Sequence, residues 1–277
     1  MNNTKHKLHW LLSIFDFFHL IPLANRVSRS FYYIAHFKHQ KRNKDFRKKG
    51  APDGLPVPSL NLVYSTTAYY DLDKYLKGGL ADYKSINQIL ENSGFEISSF
   101  SNILDFGCGC GRIIRHLKSL KNTDVYGVDI NKRCILWCDK NLKFAKFKKN
   151  SIAPSLDFND ETFDFIYAVS VFTHLNEDLQ ISWMKEFKRI LKKNGLLLLT
   201  LHTSLGNYHI VSNEEKKKFL SGELLIQYEK YVGTNFCNVF HPKSYIKNKL
   251  SKGFTILDIA NSGDKGFRQD IILLKKN

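Results

Sequence analysis

Ile103-Leu-Asp-Phe-Gly-Cys-Gly-Cys-Gly-Arg112 is the stretch that decides how this chain folds. A short apolar run ends in Asp105, and glycines follow at alternate positions, Gly107, Gly109 and Gly111. Ile113, Ile114, Leu117 and Leu120 then carry a helical period, so the spacing predicts a strand, a glycine-rich turn and a helix. Such a turn brings bare backbone close to a bound cofactor.

A dinucleotide fingerprint places glycines at positions 1, 3 and 6 of the turn. Counted from Gly107, the sixth position is Arg112, and the glycine comes one residue early. Asp105 would also repel a pyrophosphate at close range, whereas a positively charged ligand would be attracted. A second apolar run, Val125-Tyr-Gly-Val-Asp-Ile-Asn131, ends in Asp129, eighteen residues past Gly111. Its paired carboxylate oxygens suit two ribose hydroxyls.

Acid-x-Gly-x-Gly-x-Gly followed by an acid ending the second strand resembles class I S-adenosylmethionine-dependent methyltransferases, in their small-molecule and glycan-type branch. The wording Ser170-Val-Phe-Thr-His-Leu175 after the strand-like run Asp164–Val169 carries the same resemblance. So does the helical period of Glu177–Leu191, ended by Lys192-Lys-Asn-Gly195 before the buried run Leu196–Leu201. The resemblance implies an α/β fold: a Rossmann-like, doubly wound, seven-stranded sheet with an antiparallel last strand, closed by Gly253–Ala260 and Arg268–Lys275. It implies that S-adenosylmethionine is the cofactor, and that the Gly107, Cys108, Gly109 and Gly111 backbone lines its methionine end. Asp105 would help hold its amino group, Asp129 its ribose, and Asn150, Ser151 and Ser170 would complete the cofactor contacts.

The chain has 277 residues, a net charge of +16 and 13% aromatics, which fits a packed globule with an added segment. Five cysteines without paired spacing argue against a disulfide scaffold and for a reducing, cytoplasmic setting. Small apolar packing suits Cys108, Cys110, Cys134 and Cys138 better than a zinc site, and no metal is expected.

Residues 1–49 carry eleven Lys and Arg against Asp16 and Asp45. Within them Leu8–Leu20 reads as a largely apolar helix, too short to span a bilayer. It would either pack on the core, as a lid or otherwise, or lie peripherally on an anionic membrane surface. Ala51–Pro58 reads as a linker, and the domain boundary falls there: a basic helical extension over 1–49, a catalytic domain over 50–277 and a substrate-covering insertion over 204–245. The Tyr-Tyr-Asp-Leu-Asp stretch at 69–73 is expected near the cofactor mouth.

In open α/β sheets the pocket lies beyond the carboxyl ends of the strands. His174 and His202 fall at two such ends and are the candidate bases for removing a proton from an oxygen nucleophile. His241 falls in the insertion. The expected acceptor is a small molecule or a glycan-like polyol, methylated at oxygen. A nucleic-acid acceptor fits the basic balance but not Ala168-Val-Ser-Val171, where base-amine methylases resemble an Asn/Asp-Pro-Pro-aromatic motif. A catalytically silent cofactor binder and a nicotinamide enzyme are the other readings.

Overall fold

The computed structural model describes residues 39–205, 211–261 and 269–277. The expected helix at 8–20, Tyr208 in the insertion and Arg268 lie outside the described residues. Buried β-rich runs alternate with amphipathic helices along the chain, and such a pattern folds into a sheet covered on both faces. Seven strands form one sheet in the order β3-β2-β1-β4-β5-β9-β8. They are β1 (Asn102–Phe106), β2 (Asp124–Asp129), β3 (Lys146–Lys149), β4 (Phe163–Ala168), β5 (Leu191–Leu201), β8 (Phe254–Ala260) and β9 (Asp270–Lys276). The first five are parallel; β9 runs antiparallel between β5 and β8, as the resemblance implied. The strand order reverses beside β1, which sets a crevice at the carboxyl ends of β1 and β4.

Alternate residues of the central strands feed two cores. Leu197, Leu199 and Leu201 pack with Trp183, Met184 and Phe187 of α5 (Glu177–Ile190), while Leu196 and Leu198 face Ile86, Ile89 and Leu90 of α3 (Leu72–Asn92). Three further helices matter for the site: α1 (Gln40–Lys49), α2 (Leu60–Thr67) and α4 (Lys132–Asn141). The insertion contributes α6 (Asn213–Leu220) and a two-stranded ribbon of β6 (Leu225–Gln227) and β7 (Asn238–Phe240).

Two local expectations are corrected. The run after Gly111 forms only a short 3₁₀ helix, Ile114–Leu117. Arg115 is wholly buried there and pairs with Asp53, and β2 begins at Asp124, so few residues remain for a longer helix. Lys192–Gly195 does not end a helix: α5 stops at Ile190, Asn194 turns in the left-handed region, and the segment opens β5, with Leu191 paired to Phe163.

Ala51–Pro58 opens with a turn, in which the Gly54 amide donates to the Ala51 carbonyl at 2.8 Å, and it is pinned to the domain. Arg115 donates to the Asp53 carboxylate and to the Leu55 and Pro56 carbonyls. On its amino-terminal side, the buried Asn43 of α1 bonds the Tyr70 carbonyl and the Leu72 amide, and Arg42 pairs with Asp71 and Asp73. Asp71 caps α3. The 69–73 stretch therefore joins α1 to α3.

Candidate active site

The glycine turn is shaped from both sides. Below it, the amides of Gly107 and Cys108 donate to the Val128 carbonyl at 2.8 and 3.0 Å. The Gly109 amide donates to Asp129 Oδ2 at 2.8 Å, and the Gly111 amide to the Cys108 carbonyl at 2.9 Å. Above it, the Tyr75 hydroxyl donates to the Cys110 carbonyl at 2.7 Å. Each glycine is also needed by the chain's own packing. A Cβ on Gly107 would meet Val171 at 2.3 Å, one on Gly109 would meet Thr66 at 2.8 Å, and one on Gly111 would meet Leu142 at 2.4 Å. The Cys108 side chain is buried, so only its backbone could face a ligand.

These bonds discriminate between cofactors. A phosphate-binding turn presents unengaged amides at the start of an α-helix. Here four turn amides already donate to protein oxygens, and a short 3₁₀ helix follows in place of an α-helix. The turn is therefore built differently from a phosphate-binding turn.

Acceptors are plentiful. Asp105 is buried at the end of β1 and its Oδ2 has no hydrogen-bond partner among the described residues. Burial pushes its carboxyl up to about 7, against the pull of Tyr167 and Arg112, with Asp129 adding to the rise. A cationic ammonium would relieve that cost. Asp129 accepts the Gly109 amide on one oxygen and the Asn131 amide, at 2.7 Å, on the other; each oxygen keeps a lone pair for a ribose hydroxyl. Its pKa is raised by burial.

Asn150 follows β3. Its amide donates to the Asp129 carbonyl at 3.2 Å, its Nδ2 donates to the Ser151 carbonyl at 2.8 Å, and its Oδ1 is buried without a partner among the described residues. Ile130 and Ile152, next to Asp129 and Ser151, are exposed apolar side chains. Apolar side chains and an unengaged acceptor are the groups that an adenine ring and its amine require, and all three residues lie within two positions of Asp129 or Asn150 in the sequence. The residues present thus fit S-adenosylmethionine.

Ser170 lies at the carboxyl end of β4 with φ of 58°. Its amide donates to Thr200 Oγ1 at 2.8 Å and its hydroxyl to Gln269 Oε1 at 3.0 Å; Thr200 Oγ1 also donates to Gln269 Oε1, at 2.6 Å. Strain at such a strand end is a mark of functional sites.

His174 is held by the insertion. Its Nδ1 lies 2.6 Å from the Cys237 carbonyl, and its own carbonyl accepts the Gly233 amide at 2.8 Å. Burial lowers its pKa, so the ring is neutral near pH 7. Only a protonated Nδ1 can bond a carbonyl, so Nε2 carries the lone pair, and no described residue engages it. His202 follows β5, with its ring 5.5 Å from that of Phe240; burial lowers it to about 4, and the nearby His174 adds to the fall. His241 is wholly buried behind them, 3.0 Å from Gln180 Nε2, with its pKa lowered to about 3 by burial. The structure therefore brings His174 and His202 together and assigns His241 to the core.

Sequence reasoning missed the Cys237 carbonyl, Gln269 and the α2 contacts, in which Asn131 Nδ2 and Asn235 Nδ2 reach the Ser65 hydroxyl and carbonyl at 3.4 and 3.5 Å. A backbone carbonyl leaves no trace in side-chain identity. Thr200, two residues before His202 at a strand end, was the available signal for the Gln269 cluster. Among the described residues no group of His, Cys, Asp and Glu is placed to hold a metal, and no helix is long and apolar enough to cross a membrane.

Residues 104–199 match the family model described as methyltransferase domain. An uncharacterised protein of Haemophilus influenzae is 25% identical over 143 residues, 50% of this chain and 56% of its own length. The chain spans about half the length of the curated relatives it matches. Among solved structures, an S-adenosylmethionine-dependent methyltransferase of Mesorhizobium loti shares 12% identity at a TM-score of 0.51, covering 71% of this chain and 100% of that one. The glycopeptide N-methyltransferase MtfA shares 16% identity at a TM-score of 0.50, covering 71% of this chain and 90% of its own. At these identities the likeness is one of fold.

Proposed function

We propose that this protein, whose residues 104–199 match a model described as methyltransferase domain, is a class I S-adenosylmethionine-dependent methyltransferase that transfers the methyl group to an oxygen of a small-molecule or glycan-like acceptor, with His174 as the base. When bound, the cofactor supplies an activated methyl on a sulfonium, so the protein's main task is alignment and proton removal. Asp129 and the 107–111 backbone orient the nucleoside and methionine ends, and Asp105 takes the amino group. Asn150 Oδ1 accepts from the adenine amine between Ile130 and Ile152. His174 Nε2 accepts the acceptor's hydroxyl proton, and the Cys237 carbonyl steadies the imidazolium through Nδ1–H. His202, already low in pKa, stays neutral and contacts the acceptor.

The observation that carries this reading is the 2.6 Å contact of His174 Nδ1 with Cys237, which leaves Nε2 as an unengaged base at the carboxyl end of β4. Support for a polyol-sized acceptor comes from the insertion, which touches His174 through Gly233 and Cys237 and, between β6 and β7, carries the Tyr231 and Phe236 rings with centroids 5.9 Å apart. The test is transfer of labelled methyl to a panel of sugars, glycopeptides, small alcohols and amines, alongside RNA. Labelling of hydroxyl acceptors, lost in His174→Gln, supports the proposal. Labelling of amines or RNA alone overturns it.

A further inference from the structure

Four of the five cysteines surround the glycine turn. Cys108 Sγ and Cys138 Sγ approach the Gly109 carbonyl at 3.7 and 3.5 Å, which is ordinary thiol packing. Cys110 and Cys134 differ. Cys110 sits in the turn between Gly109 and Gly111, and Cys134 in the first turn of α4. Both residues are fully buried, and their sulfurs are 3.1 Å apart. A disulfide needs about 2.05 Å, so closing the gap takes a movement of only about 1 Å. The Cys110 thiol donates to Cys134 Sγ, and the Ser65 hydroxyl of α2 lies 3.9 Å from the same sulfur. These bonds, with Arg133 nearby, lower the Cys134 pKa, while the Cys110 thiol is held up.

We propose that Cys110 and Cys134 are a redox-reversible pair, joined by a peroxide oxidant into a disulfide that pins the glycine turn to α4 and weakens cofactor uptake. The last clause rests on the cofactor reading of the turn. The Cys134 thiolate attacks one oxygen of hydrogen peroxide; the O–O bond breaks, Cys134 becomes a sulfenic acid, and the departing hydroxide takes a proton to give water. Cys110 sulfur then displaces the sulfenic hydroxyl, which leaves with the Cys110 proton as a second water. Two sulfurs lose two electrons, and the peroxide gains both. The new bond pulls Cys110 towards α4. The Gly109 amide on Asp129 moves with it, and an error of about 1 Å is enough to spoil an aligned site. Ser65 and Thr66 of α2 cover this region, so oxidation requires α2 to lift. A thiol reductant reverses the link.

The test uses the full chain, oxidised with hydrogen peroxide while folded, alkylated, digested and mapped by peptide mass. S-adenosylmethionine uptake is measured by calorimetry before oxidation, after it, and after dithiothreitol. A Cys110–Cys134 link is expected, with at least a ten-fold rise in Kd that dithiothreitol restores. Cys134→Ser, or Cys134→Ala should the serine form fold poorly, should show neither change. No link in the folded protein, a Cys108–Cys138 link instead, or a Cys110–Cys134 link with unchanged Kd would overturn the proposal. If the reduced protein takes up no S-adenosylmethionine, the cofactor reading fails by itself. The disulfide map and a dithiothreitol-reversible rise in unfolding temperature then decide whether the pair is real.

Discussion

Asp129 Oδ2 accepts the Gly109 amide at 2.8 Å, so the acid that ends β2 also shapes the turn that follows β1. One carboxylate thereby joins two neighbouring strands at the point where a nucleoside would lie. Its other oxygen ties down Asn131, the cap of α4. Folding and cofactor binding converge on this side chain.

Asp129→Ala is expected to weaken S-adenosylmethionine binding by about 2–3 kcal/mol, the scale of lost hydrogen bonds to a charged group. It should also lower the unfolding temperature, because two amides lose their acceptor. Calorimetry and a melting curve on the same sample check both. Unchanged affinity in a folded variant counts against the ribose contact.

His174→Gln is expected to cut kcat about 10²–10⁴-fold, the usual contribution of a positioned base, with cofactor Kd unchanged. Because burial lowers the His174 pKa, the wild-type rate should stay level through neutral pH and fall only in acid, as Nε2 takes up a proton. A rate that instead climbs through pH 8–9 would assign the base to another group.

Acid should destabilise the fold through its histidines. His116, His202 and His241 are held by burial at about 4, 4 and 3, below the ordinary 6.5. Between 6.5 and about 4 the unfolded chain binds the extra protons, so stability falls as pH falls, by at most about 1.4 kcal/mol per pH unit for each histidine. Asp105 works the other way: its folded pKa of about 7 lies above 3.8, so its contribution declines as pH rises through that window. Asp105→Asn should therefore stabilise the cofactor-free protein at pH 8 while weakening cofactor binding. Melting curves at pH 5, 6.5 and 8 test both signs.

Two adjacent glycines in α3 should respond oppositely. A Cβ on Gly79 would stand 2.1 Å from the Arg112 carbonyl, a backbone atom that cannot swing away. One on Gly78 would meet only side-chain atoms at 3.6 Å. Gly78→Ala should stabilise by about 0.5–1 kcal/mol through helix propensity. Gly79→Ala should destabilise by about 1–3 kcal/mol despite the same gain. Denaturant unfolding of the two variants separates them.

The sheet was legible because its signal is local. Runs such as Ile103–Phe106 and Leu196–Leu201 are buried on both faces and, apart from Asp105 and Thr200, apolar, as central parallel strands tend to be. Glu177–Ile190 shows its apolar stripe at Trp183, Phe187 and Ile190. Errors fell where distant partners override local preference. The 3₁₀ turn at Ile114–Leu117 and the pinned segment 51–58 both depend on Arg115 meeting Asp53, sixty-two positions away.

What the sequence by itself determined is the sheet, the glycine turn and the acids at 105 and 129, since periodicity and spacing are properties of neighbouring residues. Only the tertiary structure decided which groups are left able to bind. Engagement of the turn amides by Val128 and Asp129, the tautomer of His174 set by Cys237, and the contact between Cys110 and Cys134 all come from hydrogen bonds and packing between segments far apart in the chain. Hydrogen bonds act over about 3 Å, and folding alone brings such segments that close.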